Sequence, residues 1–157
     1  MIHLQPIKTE DRELFWNMNQ KHLYEMTLYY PDDMDEQGNY HYGYFDAYFT
    51  DPNRKAWFIC LDDKKIGFVM IHPYSVIGQS PDYTLAEYAI FPAYRRNHYA
   101  LETAKLIFSS HPGRWELKYN EKNSAAKQLW TLVTAPYHPT VHRLNEVETV
   151  LEFSVHT

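Results

Sequence analysis

Between Tyr83 and Phe108 the chain passes from strand to helix across a basic junction, and few architectures accommodate such a segment. Tyr83-Thr84-Leu85-Ala86-Glu87-Tyr88-Ala89-Ile90 reads as an apolar strand. Pro92 has no N–H to give to a ladder, so the strand must stop beside it. After Asn97, the residues Ala100, Leu101, Ala104, Ile107 and Phe108 recur at helical spacing and form one apolar face. Arg95 and Arg96 therefore stand where a helix begins. A helix start leaves amide N–H groups unpaired and carries about half a positive charge, so this junction is expected to cradle phosphate. A solvated basic turn is the plainer reading, and the flanking strand, proline and helix weigh against it.

The 157 residues suit one domain, 1–157, with a core of its own. A net charge of -5 argues against a binder of nucleic acid, which depends on accumulated Lys and Arg. Cys60 is the lone cysteine, so no internal disulfide framework exists and a reducing compartment is expected. Met1–Pro6 has neither a basic flank nor a sustained apolar run, and no stretch approaches the roughly 20 apolar residues that cross a bilayer. A soluble cytoplasmic protein without a membrane partner is the resulting expectation. No linker, repeat or low-complexity tract divides the chain.

Ile2 to Ile7 alternate as a half-buried strand. Thr9 offers a helix cap, and Leu14, Phe15, Met18, His22 and Met26 trace one face of a helix that must end before Pro31. Ala56–Leu61 and Ile66–Ile71 are apolar runs joined by the polar link Asp62-Asp63-Lys64-Lys65, an expected antiparallel hairpin. His72-Pro73 closes it, and Tyr74 to Asp82 reads as a loop. Trp115, Leu117 and Tyr119 alternate with Glu116 and Lys118 in a further strand. Asn123 is placed to cap a helix in which Ala126, Leu129, Trp130 and Val133 repeat at helical spacing, ended by Pro136 and Pro139. Val147 to Val155 forms the last strand.

Aromatic residues make up 17% of the chain, with 14 tyrosines. Tyr40, Tyr42, Tyr44, Phe45, Tyr48 and Phe49 crowd together after the acidic Asp32-Asp33-Met34-Asp35-Glu36, the later part as a short helix. This region reads either as an acidic loop over aromatics packed on the sheet or as a pocket that attracts and holds a protonated amine. The residues leave both readings open. The nine histidines suggest a metal only weakly: His138 and His142 have Pro139 between them and no third ligand at a sensible spacing. No metal is expected. The motifs of serine hydrolases, Walker-type nucleotidases and dinucleotide-binding folds are absent.

Arg95-Arg96-Asn97-His98-Tyr99-Ala100 resembles the pyrophosphate loop of the GCN5-related N-acetyltransferases (GNAT), with His98 in place of the family glycine. Asn123-Ser124-Ala125-Ala126-Lys127-Gln128-Leu129-Trp130 is similar to that family's later helix, in which Asn, Ala and an aromatic contact coenzyme A. His111-Pro112-Gly113-Arg114-Trp115-Glu116-Leu117 looks like a feature of one bacterial branch of uncharacterised predicted acetyltransferases. The resemblance implies an α/β (α+β) fold: a mixed, mostly antiparallel sheet flanked by helices, with a splayed central strand. It implies acetyl-CoA as cosubstrate, held by Ala89, Ile90, Arg95, Arg96, Asn97, His98, Tyr99, Ala100, Asn123, Ala126 and Trp130. Ala89 and Ile90 would offer the strand edge to the pantetheine arm, and the Ile90 N–H would face the thioester oxygen. Glu87 is the expected base for a small-molecule or peptide amine acceptor, although a strand carboxylate can also simply pair with an Arg or Lys on a neighbouring strand. Trp130 stands where the family often has a tyrosine acid, and Tyr137 is an unsupported substitute. With His98 and Trp130 at these places, a non-catalytic acyl-CoA-binding or sensor domain is the alternative, and a pure interaction module is a third. Monomer and homodimer are both left open.

Overall fold

The computed structural model describes residues 1–157. Its elements are β1 (Ile2–Pro6), α1 (Arg12–Met26), α2 (Ala47–Thr50), β2 (Lys55–Leu61), β3 (Lys64–His72), β4 (Tyr83–Ile90), α3 (Tyr99–Ser110), β5 (Gly113–Asn120), α4 (Ser124–Thr134), β6 (Thr140–Arg143) and β7 (Glu148–Val155). The strands form one seven-stranded sheet in the order β1-β2-β3-β4-β5-β7-β6. Every neighbouring pair is antiparallel except β4 and β5, which run parallel and are joined through α3. The mixed, mostly antiparallel sheet flanked by helices agrees with the expected fold class.

Side chains alternate across each strand, so the sheet has a core on either face. On one face Phe15 and Met18 of α1, Phe45 and Tyr48 pack over Phe58, Phe68, Met70 and Ala89. On the other, Ala104, Ile107 and Phe108 of α3 and Trp130 and Val133 of α4 cover Val69, Leu85, Trp115, Leu117 and Leu151. β3 is buried on both faces from Ile66 to Ile71, as a central strand should be.

Two backbone features shape the middle of the sheet. β4 pairs with β5 only at Tyr83↔Trp115, Thr84↔Glu116 and Leu85↔Leu117. Beyond Leu85 the two strands part. At the same place Met70 of β3 faces Glu87 while Ile71 faces Leu85, so Ala86 is an extra residue with no partner. That bulge bends β4 and reverses its faces. Leu85 packs toward α3 and α4, and Glu87, which would share its face in a regular strand, turns toward α1.

Several local expectations are corrected. Thr9 caps nothing; the Asp11 carboxylate accepts the Lys8 amide at 2.9 Å instead. Leu14 is 43% exposed, and the buried face of α1 runs through Phe15, Met18, Asn19 and His22. Lys64 and Lys65 belong to β3, which leaves Asp62-Asp63 as the turn, with Asp62 in the left-handed region at φ 55°. β6 was not expected: four residues between a proline turn and a polar loop are too few to show alternation.

At the end of β3 the His72 Nδ1 accepts the Tyr74 amide at 3.1 Å. Burial and the nearby Arg54 charge push this imidazole down to about 4, from an ordinary value of 6.5. The unfolded chain therefore takes up the proton first as pH falls, and stability is lost between those two values on acidification. Replacing His72 by Gln is expected to flatten the decline of urea-unfolding free energy between pH 6.5 and 4. In the same assay Phe68→Ala, at a fully buried site, should cost about 3–5 kcal/mol. Leu14→Ala, on the exposed side of α1, should change stability by no more than about 0.5 kcal/mol.

Candidate active site

The parting of β4 from β5 opens a cleft of about 370 Å³. Its walls come from the last turns of α1 and the segment after it, from Leu85 to Tyr88 on β4, from Lys118 to Asn120 on β5 and from the start of α4. Glu87, Asn123, Ala126 and Trp130 all line it, whereas Ala89, Ile90 and the loop Arg95 to Ala100 do not.

Along β4 the peptide groups are divided between two sides. The Phe91 amide donates to the Ile66 carbonyl at 2.9 Å, and antiparallel ladders alternate. The peptide groups of Ala89 therefore turn back to Phe68 of β3, while those of Tyr88 and Ile90 face the side where β5 is missing. The edge expected from Ala89 and Ile90 is thus corrected to Tyr88 and Ile90. Ala89 is buried against the α1 layer. Gly67 allows β3 this close: a Cβ there would lie 1.9 Å from the Ala89 carbonyl oxygen.

The basic junction lies just beyond β4. No side chain caps α3, and the amides of Tyr99, Ala100 and Leu101 have no acceptor within the chain. The loop before the helix has left-handed backbone at Arg96, φ 65°, and at His98, φ 63°. His98 thus holds the backbone conformation for which a glycine would be favoured, with its imidazole exposed. The Asn97 side chain donates to the Arg95 carbonyl at 3.1 Å. Tyr99 and Ala100 pack beside Ile90, and the Tyr88 hydroxyl donates to the Ala100 carbonyl, tying the helix start to β4.

The two arginines have different surroundings. Arg95 donates from Nη1 and Nη2 to the Glu25 carboxylate of α1 at 2.6 and 2.5 Å, and from Nε to the Ile90 carbonyl at 2.7 Å. These hydrogen bonds hold the Glu25 carboxyl below its usual range and raise the guanidinium. Arg96 is exposed and forms no ion pair, so it is the guanidinium free to meet an anion.

Glu87 pairs with neither Arg nor Lys on a neighbouring strand. Its Oε1 is 2.9 Å from Nε2 of His22, and its Oε2 accepts the Tyr42 hydroxyl at 3.1 Å. Burial, then the Glu87 charge, pushes the Tyr42 phenol up. Neither partner was singled out from the sequence. A titratable His22 among the apolar residues of α1 was the available signal. Tyr42 belongs to the acidic aromatic region, whose rings do pack on the sheet through Phe45 and Tyr48 while its Asp32 reaches the cleft.

Asn123 caps α4, its Oδ1 accepting the Ala126 amide at 3.1 Å. Trp130 is mostly core, its ring against Tyr88 at 5.0 Å. Tyr137 stacks on Phe153 outside the cleft and supplies no acid there. Among the phenols that do line it, Tyr30 donates to Glu148 at 2.9 Å. Burial and that contact push it up to about 12. No three His, Cys, Asp or Glu side chains converge as metal ligands, and no helix is long and apolar enough to cross a membrane. Taken together, the site offers anion binding at the α3 start, backbone pairing along β4 and proton transfer at Glu87.

The chain is similar in fold to several solved structures. An acetyltransferase from Thermus thermophilus superposes with a TM-score of 0.72 at 14% identity, over 98% of this chain and 97% of that one. The spermidine N-acetyltransferase from Vibrio cholerae, solved in complex with CoA and spermine, gives 0.69 at 13% identity over 98% and 95%. Arabidopsis thaliana NAA60, solved in complex with a bisubstrate analogue, gives 0.63 at 13% identity over 98% of each chain. No curated protein matches the chain in sequence. The profile of the acetyltransferase (GNAT) family, however, matches residues 14–131, a span that holds every residue lining the cleft, and the chain therefore belongs to that family of acyl-transferring enzymes.

Proposed function

We propose that this enzyme transfers an acetyl group from acetyl-CoA to a primary amine, with Glu87 as the base. The observation that carries the reading is the cleft itself, where the Glu87 carboxylate lines the opening left by the missing β4–β5 pairing, with the uncapped start of α3 following on from the end of β4. Similar folds support the cosubstrate and the acceptor class: Arabidopsis thaliana NAA60 has been solved in complex with acetyl-CoA, and the Vibrio cholerae enzyme with CoA and spermine.

Acetyl-CoA supplies a thioester, whose carbonyl carbon accepts the amine nitrogen as its bond to sulfur breaks, the departing thiolate taking up the second proton that the nitrogen sheds. Arg96 and the amides of Tyr99, Ala100 and Leu101 hold its phosphates, with Asn97 and the exposed His98 on the same loop. Arg95 acts one step back, fixing the loop to α1 and β4. The peptide groups of Tyr88 pair with the pantetheine arm, and the Ile90 N–H, whose own carbonyl is held by Arg95, donates to the thioester oxygen as charge develops there. Asn123, Ala126 and Trp130 form the opposite wall. Glu87 takes a proton from the incoming ammonium, directly or through a water, and frees the nitrogen lone pair for attack. Asp32 and the aromatic rings around it hold the acceptor as a small or peptide amine.

Arg96→Ala should weaken acetyl-CoA binding by about 1.5–3 kcal/mol, read by calorimetry, because a charge-assisted contact is lost. Should acetyl-CoA fail to bind the unaltered protein at millimolar concentration, the cosubstrate assignment falls. Glu87→Gln should lower kcat by about 10²–10⁴-fold in thiol release over a panel of polyamines, amino acids and peptides. Its KM for acetyl-CoA should stay unchanged. Equal turnover of the two proteins at every pH removes Glu87 as the base.

A further inference from the structure

We propose that His22 and Tyr42 are positioning residues for Glu87, each holding one oxygen of its carboxylate. This deepens the acetyl-transfer reading and rests on it. Glu87 sits at a bulge, on a terminal torsion that is intrinsically broad. A lone carboxylate there would swing. Instead, one oxygen is fixed from α1 by His22 at 2.9 Å and the other from the segment before α2 by Tyr42 at 3.1 Å. Two anchors on separate elements fix the plane of the carboxylate, and two of its four lone-pair sites remain for the cleft. His22 is 6% exposed, its ring edge-on to Phe68 at 5.6 Å, and Glu87 is its hydrogen-bond partner. A buried imidazole on an apolar helix face needs such a partner.

The sign follows from donor and acceptor roles. Tyr42 donates its O–H, and His22 donates Nε2–H in the tautomer that suits a carboxylate. Donors to a carboxylate favour its ionised form, so removing either makes the base available only at higher pH. Other groups that bear on Glu87 are Tyr30 and Asp32 after α1, Lys118 on β5, and Tyr48, Arg54 and His72 behind Tyr42. All of these stay in place when His22 or Tyr42 is replaced. A purely structural His22 would lower stability and leave the pH profile where it was.

The test is the pH dependence of kcat/KM for the wild type, His22→Ala, His22→Gln and Tyr42→Phe, each with its melting temperature. A second arm records the imidazole ring-nitrogen shifts of His22 with and without Glu87→Gln. His22→Ala should lower kcat by about 10–100-fold, within the range that orientation supplies, with the KM for acetyl-CoA unchanged. Its acid limb should move to higher pH. Tyr42→Phe should move the limb the same way. His22→Gln, whose amide donor reaches the Nε2 position, should recover most of kcat. The ring-nitrogen shifts should change when Glu87 becomes Gln. An unmoved acid limb in folded His22→Ala and Tyr42→Phe overturns the proposal, as do ring shifts indifferent to Glu87. If wild-type protein acetylates no amine, the acetyl-transfer reading fails by itself, and the ring shifts alone decide whether the coupling exists.

Discussion

Backbone pairing between β4 and β5 ends after Leu85 and Leu117, and the rest of the molecule is arranged around that interruption. Peptide N–H and C=O groups cannot stay unpaired in a dry interior, so a sheet that opens in its middle must keep the opening wet or fill it with a ligand that can pair. The halves on either side are closed by ordinary means: apolar layers over each face, and a continuous ladder from β1 to β4. The wedge between the halves is left open, with the Glu87 carboxylate and the Asn123-capped start of α4 in its wall. For a family of acyl-transferring enzymes this is an economical division, since the scaffold is stable without the region that must exchange ligands.

α1 links the two ends of that region. His22 and Glu25 lie three residues apart, near neighbours along the helix, one bonded to Glu87 and the other to Arg95. The Arg95–Glu25 pair is 41% exposed on the arginine and 31% on the glutamate. Pairs of that kind are worth only about 0–1 kcal/mol. Its contribution is geometric, because it sets where the loop before α3 stands relative to the helix that bonds Glu87.

Features written within a few residues of each other were legible in the sequence. Pro92 ended the strand, Asn123 capped α4, and the run from Arg95 to Ala100 opened a helix with nothing over its amides. Features that need distant partners were not. His22 meets Glu87 across 65 positions, and Arg95 meets Glu25 across 70, with no local pattern to announce either. Arg95 and Arg96 read as equivalent until the tertiary structure gave one of them a carboxylate. The bulge at Ala86 was silent as well, since no glycine or proline marks it, and without it the alternation rule faces Glu87 to the wrong layer.

That unmarked alanine also bears on how relatives of this chain are to be compared. Deleting Ala86 would leave Ile71 opposite Leu85 and Met70 opposite Glu87 as a regular zigzag, with the acid still beside its imidazole and phenol, whereas flattening the strand at its present length would carry the acid through to the layer of α3 and α4. A relative with a flat strand can therefore be one residue shorter here and still hold its acid in the same layer. An alignment that leaves no gap in these few residues would equate the acid with a side chain on the opposite side of such a relative's sheet.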